Sequence, residues 1–120
     1  MKAADALRQG VKDFRINVEF DTGKATLRAA SRAELDELAA ALKESGAAGE
    51  VAGHTDNAGQ PQANLALSQQ RAQAVKDYLV QQGVAADKLS ATGYGMTQPI
   101  ADNASAEGRQ RNRRVQFRVM

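Results

Sequence analysis

The chain has no cysteine and no tryptophan, only two tyrosines and three phenylalanines. It also has no long apolar run, and charge of neither sign dominates. Each absence excludes something. Without cysteine there is no disulfide framework, no thiol nucleophile and no cysteine zinc site, although the compartment stays open. With so few aromatics, the core has to be built from Leu, Val, Ile and Ala. No stretch has the length of apolar residues that a spanning helix needs. The N-terminus, "MKAADALRQG", is too polar for a secretion signal, so an exported protein would contain this sequence as one piece. Basic residues number 16 against 14 acidic ones, a net charge of +2, and much of the basic excess lies between Arg109 and Arg118. With that balance and so few stacking platforms, a nucleic-acid partner is not expected.

What remains is a chain of 120 residues, 42% hydrophobic, the size of one domain with a modest core. "FRINVEF" alternates without a fault over 14–20, with Phe14, Ile16, Val18 and Phe20 on one face, and predicts a half-buried strand. Ser31 and Glu34 stand at capping-box spacing ahead of Leu35, Leu38, Ala39 and Leu42, which predicts a helix over 31–45 stopped by Gly46. "GEVAGHT" reads as a second strand. A second helix is expected from Asn64 or Leu65 to Gln82, ended by Gly83 with Val84 folding back on its last turn. "KLSATGYG" reads as a third strand, 95–111 as a long polar loop, and "RRVQFRVM" as a fourth strand. The predicted class is α+β: a two-layer βαβαββ sandwich whose mixed four-stranded sheet carries the helices on one face. Residues 1–13 read as an N-terminal extension or linker remnant ahead of a domain at 14–120.

One residue is out of place. Ala72, Val75, Tyr78 and Leu79 mark the inward stripe of the second helix, and Arg71 lies one turn before Val75, on or beside that stripe. Two readings stand. The side chain snorkels, with its methylenes on apolar surface and its head in water. Alternatively it meets Asp56 at the mouth of the second strand, as an ion pair or as half of a receptor for a zwitterion. Asn64 is either a helix cap or a ligand contact. Asp21 is a turn former or a pocket residue. Strand alternation puts Arg113 on the face of Val115 and Phe117, toward the helices, and Arg114 on the opposite face. His54 is the only histidine, too few ligands for a metal site, and reads as a packing or hydrogen-bonding group at a strand end.

"GHTDNAG…N…LSQQRAQAVKDYL" followed by "GYG…P…N…GRQRNRRVQF" resembles the OmpA-like C-terminal domain family, over about residues 14–119. This is the peptidoglycan-binding module of outer-membrane proteins, peptidoglycan-associated lipoproteins and flagellar stator proteins. The resemblance implies a site for the diaminopimelate of the peptidoglycan stem peptide, with Asp56 taking the ammonium and Arg71 the carboxylate of its free end. Asn64, Arg113 and Asp21 match further pocket positions. It implies a non-catalytic tether on the periplasmic side of the envelope, attached to the outer membrane through segments outside this sequence. It implies no cofactor or metal, and allows a homodimer. The sequence shows no hydrolase carboxylate pair and no nucleophile elbow, so a wall-modifying enzyme is not expected.

Overall fold

The computed structural model describes residues 1–21 and 23–120. Its elements are α1 (Ala3–Arg8), β1 (Asp13–Ile16), α2 (Ala29–Ser45), β2 (Gly49–His54), α3 (Pro61–Gln81), β3 (Leu89–Gly95), α4 (Ala106–Asn112) and β4 (Arg114–Val119). The strands form one mixed sheet in the order β1-β4-β2-β3. Strand β4 runs antiparallel to both β1 and β2, while β2 and β3 are parallel, and α3 supplies the crossover that a parallel pair needs. This is the expected α+β sandwich.

The register explains the two faces. Phe14 pairs Phe117, Ile16 pairs Val115, and Val51 pairs Phe117, so these apolar side chains project together toward the helices. There they meet Leu35, Leu38 and Leu42 of α2 and Val75 and Leu79 of α3. Each such side chain contributes about 1.5–3 kcal/mol by leaving water. The opposite face is polar: Glu50 accepts from Tyr94 and Thr92, and Arg118 lies over the Tyr94 ring.

Helix ends follow the glycines. Gly46 sits at φ 69°, the left-handed stop expected for α2. At the end of α3, Gly83 N–H donates to Val80 O and Val84 N–H to Leu79 O, which is the Schellman arrangement, and Val84 is buried.

Four expectations change. Strand β1 stops at Ile16 instead of Phe20, because Ile16–Val115 is its last pair with β4. Beyond it the chain leaves the sheet, and Phe20 meets Leu27 in a single antiparallel bridge, so 17–21 and 23–28 form a strap over the helix side. Ser31 and Glu34 do not cap α2, which begins earlier, at Ala29. Ser31 Oγ instead accepts from Glu19 N–H (2.6 Å), and the Glu34 carboxylate accepts from Ala3 N–H (2.9 Å). Tertiary partners have taken both side chains from the local box. Helix α3 starts at Pro61, whose fixed φ suits the first helical position. Finally, 95–111 is not all loop: Ser105 caps α4 by accepting from Gly108 N–H (2.9 Å). Segment 1–13 carries α1, whose Ala3, Ala4, Ala6 and Leu7 join the common core.

Candidate functional site

A cavity of about 640 Å³ opens where β2 ends, walled by the strap, the first turns of α3 and the start of β4. Asp56, Asn64, Arg71 and Arg113 all line it. So do Arg28 and Glu19 of the strap, Phe20 and Leu67.

Asp56 stands two residues past β2 and is only 8% exposed. Its Oδ1 accepts from Ala58 N–H (2.9 Å), a turn closed by the side chain itself. Its Oδ2 accepts from Arg113 Nη1 at 2.5 Å. An ionised carboxylate has about four acceptor positions, so each oxygen keeps capacity for a further donor. Below it, Thr55 N–H donates to Gly95 O and Thr55 Oγ1 donates to Asp56 O, which fixes the main chain beneath the carboxylate.

Arg71 does not pair with Asp56. Its Nε donates to Lys24 O (2.9 Å) and its Nη2 more weakly to Asp21 O (3.4 Å). Its guanidinium lies 4.9 Å from the centre of the Phe20 ring. Among the described residues no acceptor meets Nη1. Burial, and then the neighbouring Arg113 charge, lower the Arg71 pKa from its ordinary value. Two guanidiniums within each other's field and one nearby carboxylate make a site short of negative charge.

Arg113 points as strand alternation requires, toward the helices, and holds Asp56. Arg114 turns to the other face, where it is buried and donates to Gln98 O, Asn112 O and Gln116 Oε1. Asn64 is not a cap: it lies inside α3, and its Nδ2 donates to Ala58 O (2.8 Å), fastening the loop that carries Asp56. Asp21 closes a turn, with Lys24 N–H on its carbonyl, while its carboxylate accepts from Arg28 Nε (3.3 Å). Its side chain therefore points to Arg28, and Asp21 is not among the residues lining the cavity.

Sequence reasoning missed Phe20 and Arg28. Phe20 was legible only as one more inward residue of a long strand. Once the chain leaves the sheet at Ile16, the ring becomes the shelf beneath Arg71. Arg28 carried no signal, since it lies between two predicted elements.

His54 is also among the residues lining the cavity, but its ring packs elsewhere. Its ring is on the polar sheet face, stacked on Tyr94 with centroids 5.3 Å apart, and both ring nitrogens are buried with no partner among the described residues. Burial, then Arg114 and Arg118, push its pKa down to about 4, so the packed ring is neutral at pH 7. Among the described residues, no group of three or more His, Asp or Glu gathers as a metal site would need.

The family model described as the OmpA family matches residues 19–113. This chain belongs to the OmpA family. Outer membrane porin F of Pseudomonas fluorescens is 43% identical over 105 residues, 87% of this chain and 32% of that protein. The peptidoglycan-binding protein ArfA of Mycobacterium tuberculosis is 51% identical over 69 residues, 58% of this chain and 21% of ArfA. The chain thus spans about a third or less of these curated OmpA-family relatives. Among solved structures, the cell wall anchor of the type VI secretion system from Pseudomonas aeruginosa superposes with a TM-score of 0.78. It is 34% identical, and the match covers 98% of this chain and 92% of that one.

Proposed function

We propose that this domain binds peptidoglycan, without catalysis, by gripping the free amino-acid end of a diaminopimelate stem peptide in the cavity. The observation that carries the reading is that a carboxylate with spare acceptor positions, Asp56, and a guanidinium whose Nη1 meets no acceptor among the described residues, Arg71, line the same cavity. A zwitterionic carbon presents an ammonium and a carboxylate side by side. Asp56 accepts from the ammonium, and the fork of Arg71 takes the carboxylate. Arg113 holds Asp56 in place and adds positive charge to the cavity wall. Asn64 holds the loop that aims Asp56. Each charge-assisted contact supplies about 1.5–3 kcal/mol, less where water reaches it.

The relatives support the coarser part of this reading, because one is named for peptidoglycan binding and another for anchoring to the cell wall. They also support a place on the periplasmic side of the envelope, where the wall lies. Single-site affinity can be weak there, since an anchored protein facing a polymer has a high effective concentration of sites.

The test is calorimetry with stem peptides that differ only at their third residue. Meso-diaminopimelate is expected to bind at least about tenfold more tightly than lysine, which keeps the ammonium but leaves Arg71 without a carboxylate. Equal affinity for the two peptides would refute recognition of the zwitterion.

A further inference from the structure

The cavity contains a guanidinium that gripping one zwitterion does not use. Arg28 lines the wall beside Arg71, and both reach the same residue: Arg71 meets the main-chain oxygen of Asp21, and Arg28 meets its carboxylate. The second partner of Arg28 is Glu19, at 3.4 Å. These are long contacts between groups that are half or more exposed, 53% for Arg28 against 51% for Asp21 and 75% for Glu19. Pairs of that length and exposure contribute little and exchange readily with another anion. The α2 helix also begins directly after Arg28, with no side-chain cap and no acid in its first turn, so its positive end adds to the same field. The volume, about 640 Å³, is that of a site for a drug-sized molecule rather than for one amino-acid head group.

We propose that Arg28 is a second carboxylate contact of the cavity, held by Glu19 and Asp21 until a ligand displaces them. The inference rests on the peptidoglycan reading above and deepens it. A stem peptide ending in diaminopimelate offers two further carboxylates: one on the other centre of the diaminopimelate, one on the adjoining γ-linked glutamate. Either supplies the same chemistry. In this view Arg71 and Arg113 recognise the free end, while Arg28 reads whether the rest of the peptide is charged or amidated.

Three synthetic tripeptides decide it: L-alanyl-γ-D-glutamyl-meso-diaminopimelate, the same peptide amidated at the glutamate carboxyl, and the same peptide amidated at the diaminopimelate centre that joins the chain. Calorimetry on the unmodified chain is expected to show an affinity loss of about tenfold for one of the two amides, and that amide names the carboxylate. Arg28→Gln is expected to bind the free acid and that amide equally, with an unchanged melting temperature, while Arg28→Lys keeps part of the discrimination. If the unmodified chain binds all three alike, or if Arg28→Gln discriminates as before, the role of Arg28 is overturned while diaminopimelate recognition stands. An equal loss for all three peptides in Arg28→Gln would overturn it too, since a general field effect does not discriminate. If the unmodified chain binds none of the three, the underlying reading fails and takes this inference with it.

Discussion

Asp56 and Arg71 are held by different neighbours, and this separates binding from stability. Asp56→Asn keeps an oxygen for Ala58 N–H and so preserves the turn, but its amide nitrogen is a donor that Arg113 cannot use, so the variant removes both the charge and the Arg113 contact. Arg71→Lys keeps charge but loses the planar fork. Both variants are expected to lose about tenfold or more in stem-peptide affinity while melting within a few degrees of the unmodified chain. The double variant is expected to fall short of the product of the two losses, because in the proposed binding mode both groups grip one ligand carbon. Melting temperatures and sacculus pull-downs on the same three proteins check this. A binding loss that merely tracks unfolding would assign the residues a structural role.

His54 makes a prediction of its own. Its pKa is lowered from 6.5 to about 4 in the fold, so between those values the unfolded chain binds more protons than the folded one. The contribution of the neutral ring is complete above about pH 6.5 and is lost as pH falls toward about 4. Over that window its share of the stability loss is roughly 2–3 kcal/mol. The positive groups it would meet on protonation are Arg114 and Arg118, which face it across the sheet. His54→Phe preserves the stack on Tyr94 and cannot be protonated. Urea midpoints measured from pH 7 to pH 4.5 are expected to fall less steeply in this variant than in the unmodified chain.

At the scale of elements, the site depends on how closely α3 lies on β2 and β3. A Cβ added at Gly53 would run into the backbone of Ser68, and one at Gly93 into the backbone of Gln69. Only glycines let the helix that carries Arg71 come so near the strand that leads to Asp56. The same contact protects an edge. Strand β3 ends the sheet, and the Gln69 side chain accepts from Gly93 N–H and donates to Ala91 O, in the way a neighbouring strand would. Ser68 Oγ accepts from Gly95 N–H beside it. The β3 edge therefore offers fewer open groups to another chain. Gly53→Ala is expected to cost about 1–3 kcal/mol or more, since backbone rather than a flexible side chain must yield. It is also expected to weaken stem-peptide binding beyond what unfolding explains, because Arg71 moves with its helix. Thermal melts and calorimetry at a temperature where the variant remains folded measure the two effects separately.

Across the whole molecule the net charge is small, +2, yet its distribution is uneven around the cavity, where Arg15, Arg28, Arg71, Arg113 and Arg114 stand against Glu19 and Asp56. Binding built on such contacts is screened by salt, because the Debye length shrinks from about 10 Å at 0.1 M to about 3 Å at 1 M. Affinity for a soluble stem peptide is expected to drop severalfold between about 0.05 and 0.5 M salt, while retention on sacculi falls less, since many weak sites act together. Salt-independent affinity would show that apolar contacts dominate instead.

Sequence by itself determined the features that are properties of a short stretch of backbone. Gly46 and Gly83 stop their helices, Val84 folds back, and 114–119 alternates between two faces, because torsional freedom and side-chain period are local. It also exposed Arg71 as a charge on an inward stripe, and through alternation it sent Arg113 and Arg114 to opposite faces. Tertiary structure decided which partner each group takes. Asp56 pairs with Arg113, 57 residues away, while Arg71 turns to the strap 47 residues before it. Ser31 and Glu34 have the spacing of a capping box and cap other segments. Residues 14–20 alternate as one strand, but β4 offers partners only as far as Ile16. A polar side chain in a core bonds to whichever donor or acceptor the fold brings within reach, and the chain between the two carries no mark of that meeting.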